Sequence, residues 1–425
     1  MAGNKSKYSL RPLALMILKS LTPEEFAVEF FDERIEQLPE IIDSEAIVFS
    51  AGTFSAKRAY SLAGKYKKQN PGVTIIMGGF HPTACPEEAA QYADCVIAGD
   101  AEPVWEQVMR DLLAGRLQKK YISDNSWLLP FRRMDKSVFA GKKYAELGVV
   151  QWKRGCAYSC NFCSIRAFYG SSVAERAVDD VILEIQNLKE KIVFIADDNL
   201  LHNREKLKEF LIKLAPLQRK WVCQISINVA TDGEILDLMA KSGCMAVIIG
   251  FESLNLRNLM EIGKKQNIAN NNYDEAVAEI YSRGIMIYAT FIFGYPHDTL
   301  DSFDEVYNFA AKHRFFVANF NPLMAMPGTA LYDELKEQGR LISEKWWLDG
   351  DYRYGAAMHR PEKISAEQLA ENCRRLRSKF YSVPSIAARL LHRVNIKYAA
   401  EFLLMNFISA AEIKQKQKAK PEGEI

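Results

Sequence analysis

Between Val149 and Thr329 one pattern repeats six times. The apolar runs VVQWKRG, IVFIADDN, WVCQISINVA, MAVIIGFES, IMIYATFIFGYP and FVANFNPLMAMPGT have strand-like composition, and each but the last is followed by a stretch of helical spacing. A strand that is apolar on both sides needs helices over both faces, and a strand-then-helix order lays the next strand parallel. Six such units predict a partial (β/α)6, TIM-like barrel. Parallel architectures place their chemistry at the carboxyl ends of the strands. The polar clusters IADDN, GFES and FGYPHD therefore open onto one mouth.

The amino-terminal part alternates as well. Phe26–Phe31 (FAVEFF) and Ala46–Ser50 (AIVFS) read as strands, Ala56–Gln69 as an amphipathic helix, and Val73–Met77 as a strand that stops at Gly78-Gly79. A helix opening at Pro86, a strand at Asp94–Ala98 and a helix through EPVWEQVMRDLLAG follow. This is an α/β pattern for a Rossmann-like, doubly wound parallel sheet over residues 1–116. Residues 117–148 lose all period and read as a linker, 149–345 as the barrel, and 346–425 as a helical carboxyl-terminal region with a polar, frayed tail from Lys414.

Of 425 residues, 48% are hydrophobic and 25% charged, values of a globular chain with a substantial core. The net charge of +2 offers no electrostatic grip on nucleic acid. No apolar run reaches the roughly 18 residues that span a bilayer, and the opening MAGNKSKYSLRPLALMILKS lacks a small-residue cleavage site, so a cytoplasmic chain is expected. Eight cysteines with three clustered and five scattered do not form a disulfide framework. The scattered five read as small buried hydrophobes.

The clustered three are Cys156, Cys160 and Cys163, in RGCAYSCNFCSIRAFYG. A structural zinc site wants four ligands in a closed tetrahedron, and no nearby residue supplies the fourth. A redox dithiol uses a pair, not a triple. Three thiolates on a cuboidal iron–sulfur cluster leave one iron open, which makes that iron a reaction site. Gly155 permits the tight turn into the loop.

CxxxCxxC with Phe162 before the last cysteine, in a loop after the first strand of a β/α repeat, resembles the radical S-adenosylmethionine superfamily. The resemblance implies a [4Fe-4S] cluster on the three cysteines. It implies that S-adenosylmethionine chelates the open iron and is cleaved by one electron to methionine and a 5′-deoxyadenosyl radical that abstracts hydrogen. By the same resemblance Asp197, Asp198 and Asn199 lie near the cosubstrate amino group, and Glu252 and Ser253 near its ribose and carboxylate. Ser226 and Asn228, with Gln224, alternate along the third strand and are expected to face the cosubstrate too. Asp198 and Asn199 also suit a helix cap, and Gly328-Thr329 also suits a plain turn.

Met77–Val108 resembles the end of the cobalamin-binding-type domain found in one branch of that superfamily, with methyltransferases of unactivated carbon, the anaerobic magnesium-protoporphyrin ester cyclase and hopanoid methylases. His359–Leu390 resembles the tail of the same branch. On this reading Gly52, Thr53, Gly78, Gly79, His81, Gly99 and Glu102 line a cobalamin site. Two departures stand out: D-x-H-x-x-G is absent, and the strand expected before SLRPLALMILKSL is missing. The implied activity is cobalamin-dependent radical methylation of a lipid, a tetrapyrrole or another small molecule, fed by a flavodoxin- or ferredoxin-like donor. Radical cyclisation or carbon–carbon coupling is the alternative, and a zinc-stabilised binding module the remote one. WWLDGDYRYG reads equally as a substrate-stacking element or as packing for the carboxyl-terminal segment. FLLMNFISAA reads as a helix docked on the enzyme's own surface, with peripheral membrane contact as the second reading.

Overall fold

A computed structural model describes residues 9–123, 139–269 and 272–418, and of the expected 117–148 linker residues 124–138 lie outside them. Contacts divide the chain into two units, residues 1–152 with 172–191 and residues 153–171 with 192–425.

The first unit holds four parallel strands, β1 (Ala46–Ser50), β2 (Thr74–Gly78), β3 (Cys95–Ala98) and β4 (Lys120–Ile122), in that spatial order. Helix Leu13–Leu21 precedes the sheet, and helices Ala56–Gln69 and Glu102–Leu113 connect its strands. Ile76, Ile97, Trp105, Val108 and Tyr121 form a buried core, with Leu18, Leu21 and Phe26 packed onto it. Phe26–Phe31 is not a strand. Its rings serve two different clusters instead: Phe26 joins the Trp105 core, whereas Phe30 packs edge-on against Phe139 at 5.5 Å. A segment pulled to two anchors has no run of neighbours to form a ladder with. A short strand, β5 (Gly148–Val150), also falls within this unit.

In the second unit five parallel strands run β10-β9-β8-β7-β6, where β6 is Ile192–Ile195, β7 Lys220–Gln224, β8 Cys244–Glu252, β9 Met286–Phe293 and β10 Val317–Pro322. The strand alternation divides the sheet into two faces. On one, Phe251, Phe291 and Phe320 are buried and stack in sequence at 5.5 and 5.8 Å. Each such ring contributes about 1.5–3 kcal/mol of burial. On the other, Phe194, Val222, Ile248, Gly250, Tyr288, Thr290, Ile292, Asn319 and Asn321 are all half-buried. Register pairs Gly250 with Thr290 and Thr290 with Asn319, so this second face runs continuously across the strands. It is the concave interior of the partial barrel.

Helix Ala366–Phe380 packs on β10, and the last helix, Ala399–Lys418, continues through Lys414 where a frayed tail was expected; 419–425 lie outside the described residues. Phe402 and Asn406 fix that helix to its own unit: Phe402 lies 5.9 Å from Phe316, and Asn406 Nδ2 donates to Phe316 O at 3.0 Å. FLLMNFISAA is thus docked on the protein itself, with Leu404 and Phe407 left exposed.

Candidate active site

The cysteine loop is built on Gly155, whose φ of 88° admits glycine readily. Its backbone is then tied down at several points. The Lys153 N–H donates to Asp197 Oδ1 at 2.9 Å and the Gly155 N–H to Asp198 Oδ2 at 2.8 Å. Midway, the Asn161 N–H donates to Ile262 O and Asn161 O accepts from Leu331 N–H, both at 3.1 Å. The three thiols are free. Burial pushes Cys156 and Cys160 up from the ordinary thiol value, and the nearness of Cys163 adds to the shift in both. Three soft donors gathered on one anchored loop suit an iron–sulfur cluster.

A second segment closes over this loop. Gly263 has a φ of 72°, and a Cβ there would lie 3.0 Å from Ser159 O, so glycine allows the close approach. Just beyond, Gln266 Nε2 sits 4.0 Å from Cys160 Sγ, and Lys264 pairs with the Glu252 carboxylate in the interior. Glu252 adopts a φ of 60° at a bulge of β8, a conformation unusual for a residue with a side chain. A Cβ on Gly250 would meet Glu252 Oε1 at 2.2 Å, so the ion pair occupies the room that glycine leaves on the concave face. Lys264 and Gln266 had no signal in the sequence, because their role depends on a fold-back of GKKQN onto a loop a hundred residues earlier.

Four other expected cosubstrate residues have structural duties here. Asp197 and Asp198 anchor the cysteine loop, and burial raises the Asp198 pKa from the ordinary carboxylate value. Asn199 Oδ1 accepts from Leu201 N at 3.2 Å and from Ser226 N at 3.3 Å. None of these caps the next helix; Asn203 does, accepting from Lys206 N. Ser253 Oγ accepts from Asn255 N and Asn258 Nδ2, which shapes the turn after β8. Ser226 and Asn228 lie beyond the end of β7, in and before a 3-10 turn at Ile227–Thr231, so they do not alternate on a strand with Gln224. At the strand end Gln224 O accepts from Leu200 N–H at 3.0 Å, and the chain then enters the 3-10 turn. Asn228 Nδ2 donates to Tyr158 Oη at 3.3 Å, while its buried Oδ1 has no hydrogen-bond partner among the described residues. Such an orphaned acceptor fits a bound polar group. Gly328-Thr329 takes the plain role, with Thr329 Oγ1 capping helix Ala330–Glu337.

A cavity of about 220 Å³ flanks the cysteine loop, lined among others by Asn161, Ile262, Tyr295, Leu323 and His359. Trp346 and Trp347 do not face it. Trp346, 2% exposed, donates to Ala325 O at 2.9 Å and its ring lies 5.7 Å from Trp347, so both pack the carboxyl-terminal segment.

In the first unit, the loops after β1, β2 and β3 share the carboxyl edge of a parallel sheet. They carry Gly52 and Thr53, Gly78 and Gly79, and Gly99 and Glu102. Gly79, at φ 106°, brings its loop against the first: a Cβ would lie 2.8 Å from Ala51 O, and Ala51 N–H donates to Gly78 O at 2.8 Å. Thr83 Oγ1 then accepts from Gly99 N–H at 2.9 Å, joining the third loop. Among the described residues nothing stands within 4 Å of a Cβ on Gly52. The His81 ring is wholly buried with Nε2 3.1 Å from Glu88 Oε1, and burial lowers its pKa; its side chain shapes the loop from inside. Phe54 and Phe80, 50% and 38% exposed, stand on the same loops. Open backbone turns flanked by exposed rings fit a large, flat macrocycle. Both rings lie in strand-end stretches expected to line the cobalamin site, Phe54 in Gly52–Ser55 and Phe80 in Gly78–Pro82.

Comparison with known proteins supports both regions. The Radical SAM superfamily matches residues 150–310 and the B12 binding domain residues 1–109. The chain is 30% identical over 412 residues to the bacteriochlorophyllide d C-12(1)-methyltransferase of Chlorobaculum tepidum, covering 93% of this chain and 88% of that one. It is 28% identical over 367 residues to the bacteriochlorophyllide d C-8(2)-methyltransferase of the same organism, covering 81% and 80%. The fold resembles that of the radical S-adenosylmethionine methyltransferase TsrM from Kitasatospora setae with cobalamin and [4Fe-4S] cluster bound. The TM-score is 0.62 at 16% identity, over 79% of this chain and 76% of that one.

Proposed function

This chain belongs to the cobalamin-dependent radical S-adenosylmethionine methyltransferases, and we propose that it methylates an unactivated peripheral carbon of a chlorin-type tetrapyrrole. The observation that carries the substrate class is the nearly full-length similarity to two methyltransferases that act on bacteriochlorophyllide d. When bound, the cluster and S-adenosylmethionine supply the hydrogen-abstracting radical, and cobalamin supplies the methyl group.

The chain's own residues do the rest. Cys156, Cys160 and Cys163 hold the cluster on a loop that Asp197 and Asp198 keep in shape. Asn228, with its orphaned acceptor, and Ser226 and Asn199 beside it line the cosubstrate, and Glu252 meets it from the concave face once Lys264 has fixed its position. The loops at Gly52–Thr53, Gly78–Gly79 and Gly99–Glu102 carry cobalamin, with Phe54 and Phe80 against the corrin. A low-potential flavodoxin or ferredoxin delivers the electron, and the reducing cytosol suits the cluster. Among the described residues no helix is long and apolar enough to cross a membrane.

The test is anaerobic turnover of the reconstituted enzyme with S-adenosylmethionine, a reductant and bacteriochlorophyllide d. A chlorin one methyl heavier, formed with S-adenosylhomocysteine and 5′-deoxyadenosine in equal amounts, supports the reading. A chlorin that gains no methyl while 5′-deoxyadenosine accumulates would refute the substrate class.

A further inference from the structure

Helix Ala366–Phe380 packs on β10, which forms one edge of the five strands in the second unit, and carries three arginines in its second half. Two are neutralised on the surface: Arg374 pairs with Glu371 at 3.7 Å and Arg375 with Asp304 at 3.0 Å. Arg377 is different. It is half-buried, and no carboxylate pairs with it among the described residues. Its Nη1 donates to Asn321 Oδ1 at 3.2 Å, and its guanidinium carbon lies 6.0 Å from the centre of the Tyr354 ring. Most of its N–H donors therefore meet no acceptor among the described residues.

The position is also built. Gly355, at φ 85°, passes so close that a Cβ there would lie 2.7 Å from Arg377 Nη2. Asn321 belongs to the concave, half-buried face of the sheet, where Asn319, Thr290 and Tyr288 continue the polar row; Asn319 Nδ2 donates to Tyr288 Oη at 2.7 Å. A guanidinium stays charged at every physiological pH, and partial burial without a counter-ion is unfavourable unless a ligand supplies one. Its planar fork matches a carboxylate through two parallel hydrogen bonds.

We propose that Arg377, backed by Asn321 and Tyr354, binds a carboxylate of the substrate at the β10 edge of the concave face. This deepens the chlorin reading and rests on it for the choice of probe. The chlorin ring then lies along Tyr288, Thr290 and Asn319 while the acid group is held at the edge.

The experiment uses reconstituted holoenzyme and two probes that differ in one group, pheophorbide a and its methyl ester, with binding followed by equilibrium dialysis. Wild type is expected to bind the free acid at least about tenfold more tightly than the ester. In Arg377→Met that preference disappears through loss of acid binding, with ester binding unchanged. Arg377→Lys, which keeps the charge without the fork, falls between the two. Equal binding of acid and ester by wild type overturns the proposal and leaves the chlorin reading standing, as does an acid preference that survives in Arg377→Met. Failure of wild type to bind either probe overturns both together.

Discussion

On the proposed reading the two units hold their cofactors by different means. Around the cysteines, side chains do the construction: carboxylates of Asp197 and Asp198 take backbone N–H groups of the loop, and Lys264 fixes Glu252. At the edge of the first sheet, backbone does it: Gly79 lets two loops touch, and Thr83 ties in a third. Coordination demands particular atoms at particular places and so leaves a residue signature. Cradling a macrocycle demands a surface, which glycines and exposed rings can provide in many sequences.

If that contrast holds, damage to one site leaves the other loadable. The largest effect is expected from Cys160→Ala, which abolishes S-adenosylmethionine cleavage and cluster binding while cobalamin is still retained; turnover in this variant would sink the cluster assignment. Asp198→Ala removes the acceptor for Gly155 N–H and is expected to lower iron content and cleavage several-fold, with Asp198→Asn milder because it keeps an acceptor oxygen. Iron and sulfide assays on desalted protein check it.

Gly79→Val is the mirror experiment. Its side chain meets Ala51 O from a backbone conformation that costs about 1–3 kcal/mol, so cobalamin affinity should fall at least about tenfold while iron content stays unchanged. Phe54→Ala removes one exposed ring and should weaken cobalamin by about 1 kcal/mol, or roughly fivefold, in a dialysis titration.

A further effect concerns stability. Burial lifts the Asp298 pKa from 3.8 to about 6, despite hydrogen bonds from Gly294 N, Tyr295 N and Asn258. The folded state then binds more protons than the unfolded state between those values. Its contribution to stability is present at low pH, is lost as pH rises towards about 6, and is flat above. Denaturant titrations of Asp298→Asn should lack this slope.

The same contrast decides what could be read from the sequence. The barrel was legible because six apolar runs of one period leave few alternatives, and the cysteines because three thiols at that spacing have few uses. Asp197 and Asp198 were visible as important, but their hold on the loop was not: that depends on where Lys153 and Gly155 point their N–H groups. Ser226 and Asn228 looked like a strand continuation because nothing in ISINVA announces the 3-10 turn that follows Gln224, whose O accepts from the distant Leu200 N–H. FAVEFF had strand composition, yet two separate clusters claimed its rings. His81 looked available in GGFHPT, and only the fold shows it turned inward to Glu88. In each case the missing information is a long-range partner.

The two sites in this chain are expected to load independently. Anaerobic reconstitution of wild type and Cys160→Ala with iron, sulfide and hydroxocobalamin, followed by desalting and assay of all three, tests this directly. Wild type should retain about four irons, four sulfides and one cobalamin, and the variant about one cobalamin without the cluster. A wild-type protein that keeps its iron and sulfide but sheds cobalamin on desalting would contradict it.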